Sequence, residues 1–121
     1  MKKLLFVIAF LFFSTQSFAN RFETTGQIRE ISIVDSTDTN TSHSLAVIVV
    51  DGFKSAGNCY VGEGTGLVSI KIKKNEQGKL MYSVALSAYA AGKKIFVRVD
   101  DIDKDANNYC HLQQIRVNTA Y

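Results

Sequence analysis

The chain has 121 residues, 14 Lys and Arg against 11 Asp and Glu, two cysteines, and neither proline nor tryptophan. That length makes one small domain, since domains run upward from about 50 residues with a mode near 100 to 150. Its formal charge of +3 is scattered along the sequence, which lacks the clustered arginines of a nucleic-acid binder.

Lys2 and Lys3 precede an unbroken apolar run from Leu4 to Phe13, and Ser17-Phe18-Ala19 offers small residues at the −3 and −1 positions of a cleavage site. This is the pattern of a secretory signal peptide, with an apolar run about half the ~20 residues that a bilayer span requires. The chain therefore divides into a signal peptide, 1–19, and a single secreted or periplasmic domain, 20–121, with no membrane span after cleavage. Without Lys2 and Lys3 the remaining domain carries 12 basic and 11 acidic residues and is close to neutral.

Phe22 to Val34 is rich in β-formers, but Ile28 and Ile31 are three apart whereas Ile31 and Ile33 are two apart. A strand whose inward face changes part-way predicts a β-bulge and a bend that serves two sides of a barrel. Asp35 to Ser44 is a polar loop that holds His43 and the formal glycosylation sequon Asn40-Thr41-Ser42. Leu45 to Val50 is apolar on both faces and reads as a strand covered on both sides. A glycine-rich passage follows, with a short strand expected around Cys59. Gly62-Glu-Gly64-Thr-Gly66 then precedes an alternating strand, Leu67 to Lys73, where a phosphate loop would precede a helix, so these are turn glycines. Lys71, Lys73 and Lys74 read as a solvated strand edge.

Leu80, Val84, Ala88 and Ala91 recur at helical spacing beside Met81 and Ala85, and predict the buried stripe of an amphipathic helix. Gly92 stands where a helix ends in the left-handed conformation, followed by Lys93 and Lys94. Tyr82, Leu86 and Tyr89 form a second strip, the candidate interface with another copy of the chain. Ile95, Val97 and Val99 then alternate with Phe96, Arg98 and Asp100 as a strand. Asp101 to Asn108 is expected as an acidic hairpin loop. Its carboxylates at 101, 103 and 105 match the start of a calcium loop, but Ala106 and Leu112 stand where glycine and a bidentate carboxylate are needed. Tyr109 to Asn118 is the last strand.

Cys59 and Cys110 lie in the exported part, where an even pair predicts a disulfide whose loop of about 50 residues would stabilise by roughly 4 kcal/mol. Neither histidine, His43 or His111, has a matched ligand motif, no nucleophile elbow occurs, and the sequence implies no metal, cofactor or catalytic group. Tyr60, Tyr109, Tyr121 and Phe53 are the aromatics available for stacking on a ligand. Five strands with one helix between the third and fourth is the order of the OB-fold, a mainly β Greek-key barrel.

The run Tyr82-x-x-x-Leu86-x-x-Tyr89-x-x-Gly92-Lys-x-Ile95-x-Val97-Arg98-Val99, with the leader and the cysteine pair, resembles the OB-fold binding subunits of bacterial AB5 toxins of the subtilase-cytotoxin and typhoid-toxin type. The resemblance spans about 20 residues and lacks the aromatic-rich tail of those subunits. It implies a ring of subunits binding a glycan on a host surface, and no site residue carries over. Together these readings lead to an exported, non-enzymatic binding module that takes a carbohydrate or a protein partner, including a second copy of itself, but no nucleic acid. The alternative is a periplasmic structural or inhibitory protein acting through protein contacts.

Overall fold

The computed structural model describes residues 20–33 and 44–117. Residues 1–19, where a leader is expected, His43, the sequon and Tyr121 lie outside the described residues. The elements are β1 (Arg21–Ile33), β2 (Ser44–Val50), β3 (Ser69–Lys73), α1 (Glu76–Ala91), β4 (Lys94–Lys104) and β5 (Cys110–Val117). This is the order that the sequence predicts.

β1 makes the ring possible. Its first half pairs antiparallel with β4, from Arg21 opposite Asp100 to Gln27 opposite Lys94. After a register shift between Ile28 and Glu30 its second half pairs with β2, from Ile28 opposite Val50 to Ile33 opposite Ala46. The bulge falls where the spacing of Ile28 and Ile31 requires one, because the extra residue turns the apolar face inward again. Gly26 sits at this bend, and a Cβ there would stand 2.3 Å from the Asp51 carbonyl oxygen. The strands close in the order β1-β2-β3-β5-β4, with β3 and β5 parallel through Ile70 opposite Cys110 and Lys71 opposite His111. The result is a mainly β, five-stranded OB-type ring with one helix.

Inside the ring lie Ile48 and Val50 of β2, Ile70 and Ile72 of β3, and Val97 and Val99 of β4, all fully buried. Branched aliphatics suit a pleated interior because their restricted rotamers lose little freedom in a strand. Each such side chain contributes about 1.5–3 kcal/mol when removed from water.

α1 packs against every strand of the ring. Asn75 caps it: its side chain accepts the Gly78 N–H at 2.7 Å. Gly78 allows the first turn to press on β3, since a Cβ there would lie 1.7 Å from the Lys73 carbonyl oxygen. At the other end Gly92 is left-handed, with φ 64°, and the Lys93 N–H reaches the Ala88 carbonyl at 2.9 Å.

The buried stripe of α1 differs from the expected one. Gly78, Ala85 and Ala88 are buried, and Met81 and Tyr82 pack partly against the core. Leu80, expected inside, is 68% exposed. Val84 and Ala91 line an open groove of about 430 Å³ beside Val117 and Lys93. A helix sealing the narrow end of a small ring approaches closely only where its side chains are small, so alanine and glycine positions set the stripe ahead of the larger leucine.

Two further expectations are corrected. Around Cys59 there is no named strand, only an isolated bridge between Val61 and Val68. Glycines at 57, 62, 64 and 66 interrupt any longer ladder. β4 also continues through Asp101 to Lys104, which pairs with Cys110 after a shift in register. The expected acidic loop thus begins only after Lys104, where the Asp105–Asn108 turn leads into β5.

Candidate functional site

The Cys59–Cys110 disulfide forms, with Cα atoms 5.3 Å apart. It fastens the segment between β2 and β3 to the start of β5, aided by the Tyr60 N–H donating to the Asn108 carbonyl at 2.7 Å. Each cysteine has a tyrosine as its neighbour on the side facing solvent. The bridge therefore brings Tyr60 and Tyr109 together, with ring centroids 4.5 Å apart and planes tilted by 31°. Phe53, expected beside them, is buried in the core and takes no part.

Beneath the tyrosines lies Lys71, whose residue is only 2% exposed. It is not on a solvated edge, because β3 gains β5 as its parallel neighbour when the ring closes. Its ammonium stands 4.3 Å from the centroid of the Tyr109 ring and pairs with Asp105 Oδ2. Asp105 Oδ1 accepts the N–H groups of Asn107 at 2.8 Å and Tyr109 at 3.0 Å, so one carboxylate holds both the lysine and the turn into β5.

Next along the same face, Asp103 collects three donors. Lys73 reaches it at 2.9 Å, His111 Nδ1 lies 3.0 Å from its other oxygen, and Gln113 Nε2 also donates to it. The aspartates at 103 and 105 are thus spent on separate lysines and do not converge on a cation. Among the described residues no group of three or more His, Cys, Asp or Glu side chains has the geometry of a metal site.

Burial by itself raises the carboxyls of Asp103 and Asp105. Hydrogen bonds and charge from Lys73 and His111 outweigh it at Asp103, and those from Lys71, with the Tyr109 and Asn107 N–H groups, at Asp105. Both carboxyls end below the ordinary aspartate value. Tyr109 moves the other way: burial, then its neighbour Tyr60 and the Asp105 carboxylate, push its hydroxyl up. Tyr109 packs against Tyr60 with the Lys71 ammonium over its ring, and the pair sits on a scaffold held by a disulfide and two ion pairs.

No protein-family model matches the chain, and no curated protein or solved structure matches it either.

The remaining expected residues are dispersed. Of the helix strip, Leu86 and Tyr89 are 41% and 51% exposed, while Tyr82 turns partly into the core, so the three do not form one open surface. His111 is a hydrogen-bonded structural residue on β5. Sequence reasoning missed Lys71, Lys73, Asp103 and Asp105 as partners, although Lys71 and Lys73 are two apart and so share a face of β3. The adjacency of Tyr60 to Cys59 and of Tyr109 to Cys110 was a usable signal, since the expected disulfide alone brings these tyrosines into reach.

Proposed function

We propose that this chain is an exported, non-enzymatic module that binds a carbohydrate at the Tyr60–Tyr109 pair. The observation that carries the reading is the partly exposed tyrosine pair, its rings in contact at a tilt, fixed by the disulfide and backed by Lys71. Rigid aromatic faces bearing hydroxyls suit sugars, which offer C–H surfaces for stacking and hydroxyls for hydrogen bonds. OB-type barrels carry oligosaccharide sites on other proteins, an analogy of fold and not of residues. A disulfide fits an oxidising compartment, in keeping with the leader expected at 1–19. In this reading Lys71 and Asp105 are positioning residues and only the tyrosines touch ligand. Screening the folded protein on a glycan array, then titrating the best saccharide, tests it: Tyr60→Ala and Tyr109→Ala should each weaken binding at least tenfold. Unchanged affinity in both variants would sink the tyrosine site.

Exposure of Leu86 and Tyr89 supports a second reading, that α1 docks against another copy of the chain, as the likeness to toxin binding subunits implies. Light scattering on a sizing column checks it. An oligomer dissociated by Leu86→Ser with Tyr89→Ser supports the interface, and a strict monomer at high concentration rejects it.

A further inference from the structure

We propose that the outward face of β1, β4 and β5, away from the tyrosine pair, binds an extended anionic polysaccharide. Successive outward positions of β4 are Lys94, Phe96, Arg98 and Asp100, and the register places a cation at each level. Arg116 of β5 stands opposite Phe96, and Arg21 of β1 opposite Asp100. Lys94, Arg116, Arg98 and Arg21 thus follow one another at two-residue steps, about 6.8 Å apart along the strand direction. Two carboxylates share the face, Glu23 and Asp100. Glu23 is bound by Arg98 Nε at 2.8 Å, which leaves the terminal amino groups of that guanidinium for a ligand. Among the described residues neither Arg21, Lys94 nor Arg116 has an ion-pair partner.

Stacking holds the arginines in place, and of the Arg98 donors only Nε–H is spent, on Glu23. Arg116 lies over the Phe96 ring, 4.4 Å from its centroid, and Arg98 stands 5.9 Å from the same ring. Stacking uses the face of a guanidinium and leaves its N–H edge free for a planar anion. At the Arg21 end the face deepens into a cavity of about 260 Å³ lined by Arg21, Arg98, Asp100, Gln113 and Gln114. That volume accommodates one sugar ring. Its mixed chemistry selects the ligand class: guanidinium donors meet sulfate or carboxylate groups, whereas Asp100 and the amide oxygens accept hydrogen bonds from hydroxyls. A nucleic-acid strand fits less well, since Arg116 covers the Phe96 ring, the one aromatic among the described outward positions of this face.

Binding is measured by fluorescence anisotropy with labelled dextran sulfate, alongside uncharged dextran and a single-stranded oligothymidylate. Dextran sulfate should bind and dextran should not, and Arg98→Gln with Arg116→Gln should weaken binding at least tenfold. Each arginine removed should also reduce the slope of log affinity against log salt by about one. Arg21→Gln, at a site with no described ion pair to lose, should weaken binding without shifting the melting temperature, and Lys79→Gln on the helix should leave it unchanged. Failure to bind dextran sulfate, equal binding by the arginine variants, or tighter binding of the oligothymidylate would each overturn the proposal. Tyr60→Ala with Tyr109→Ala should leave this binding intact. Loss of it in that variant would merge the two surfaces and overturn the assignment of a separate face, whereas failure of the tyrosine reading alone would leave it standing.

Discussion

The two ends of β4 handle charge in opposite ways. From Lys94 to Asp100 cations outnumber carboxylates on an open face, where Arg116 lies over an aromatic ring and Arg98 gives only its Nε–H, to Glu23. From Asp101 onward the arrangement turns inward: Asp103 and Asp105 are met by Lys73, His111 and a nearly fully buried Lys71. The difference follows from neighbours. At the second end β3 and the disulfide-tethered segment close over Lys71, whose buried ammonium must find a partner, while Lys73 and Asp103 stay partly exposed. At the first end the outer face stays wet, and unpaired cations cost little.

The largest effect should come from the covered end. Replacing Cys59 and Cys110 by alanine removes a crosslink spanning 51 residues and should lower stability by about 4 kcal/mol, read from urea midpoints. Asp105→Asn should follow at about 3 kcal/mol, because it leaves the Lys71 ammonium buried without its carboxylate. Lys71→Met should cost less, and adding it to Asp105→Asn should recover much of the loss. Additive losses in this cycle would show that the pair is not coupled.

A pH titration sharpens the same contrast. Asp103 and Asp105 are held below the unfolded value of 3.8, so the stability they contribute is fully present above that value. It is lost as pH falls through the folded values, below about pH 4. Thermal melts from pH 6 down to 2 should therefore fall steeply at the acid end, and less steeply in Asp103→Asn. A profile flat to pH 2 would contradict the depressed carboxyls. The smallest effect belongs to the open end, where Arg116→Gln should change stability by no more than about 0.5 kcal/mol. A large loss there would mean that this face is structural.

Legibility in the sequence followed the range of the interactions concerned. The bulge in β1 was readable because a switch in apolar spacing is local, and the helix stop because Gly92 alone can take its backbone angles cheaply. The helix stripe was misread because Leu80 and Ala85 are both apolar, and only the narrow end of the ring selects the smaller one. Lys71 looked like an edge residue because the sequence does not state that β3 and β5 lie side by side. The acidic run looked like a loop because the sequence does not state that Lys104 pairs with Cys110 across the turn.

By itself the sequence determined the element order, the mainly β class, the bend in the first strand, the cysteine pair and the helix terminus, since each depends on side-chain period, backbone restriction or chain count. Only the tertiary structure decided which charges are paired and which are free. Parallel pairing of β3 with β5 sets Lys71 beside Asp105, and pairing of β1 and β5 on either side of β4 aligns Arg21, Arg98 and Arg116. Coulombic partnership depends on distance and exclusion of water, and both are fixed only when the ring closes.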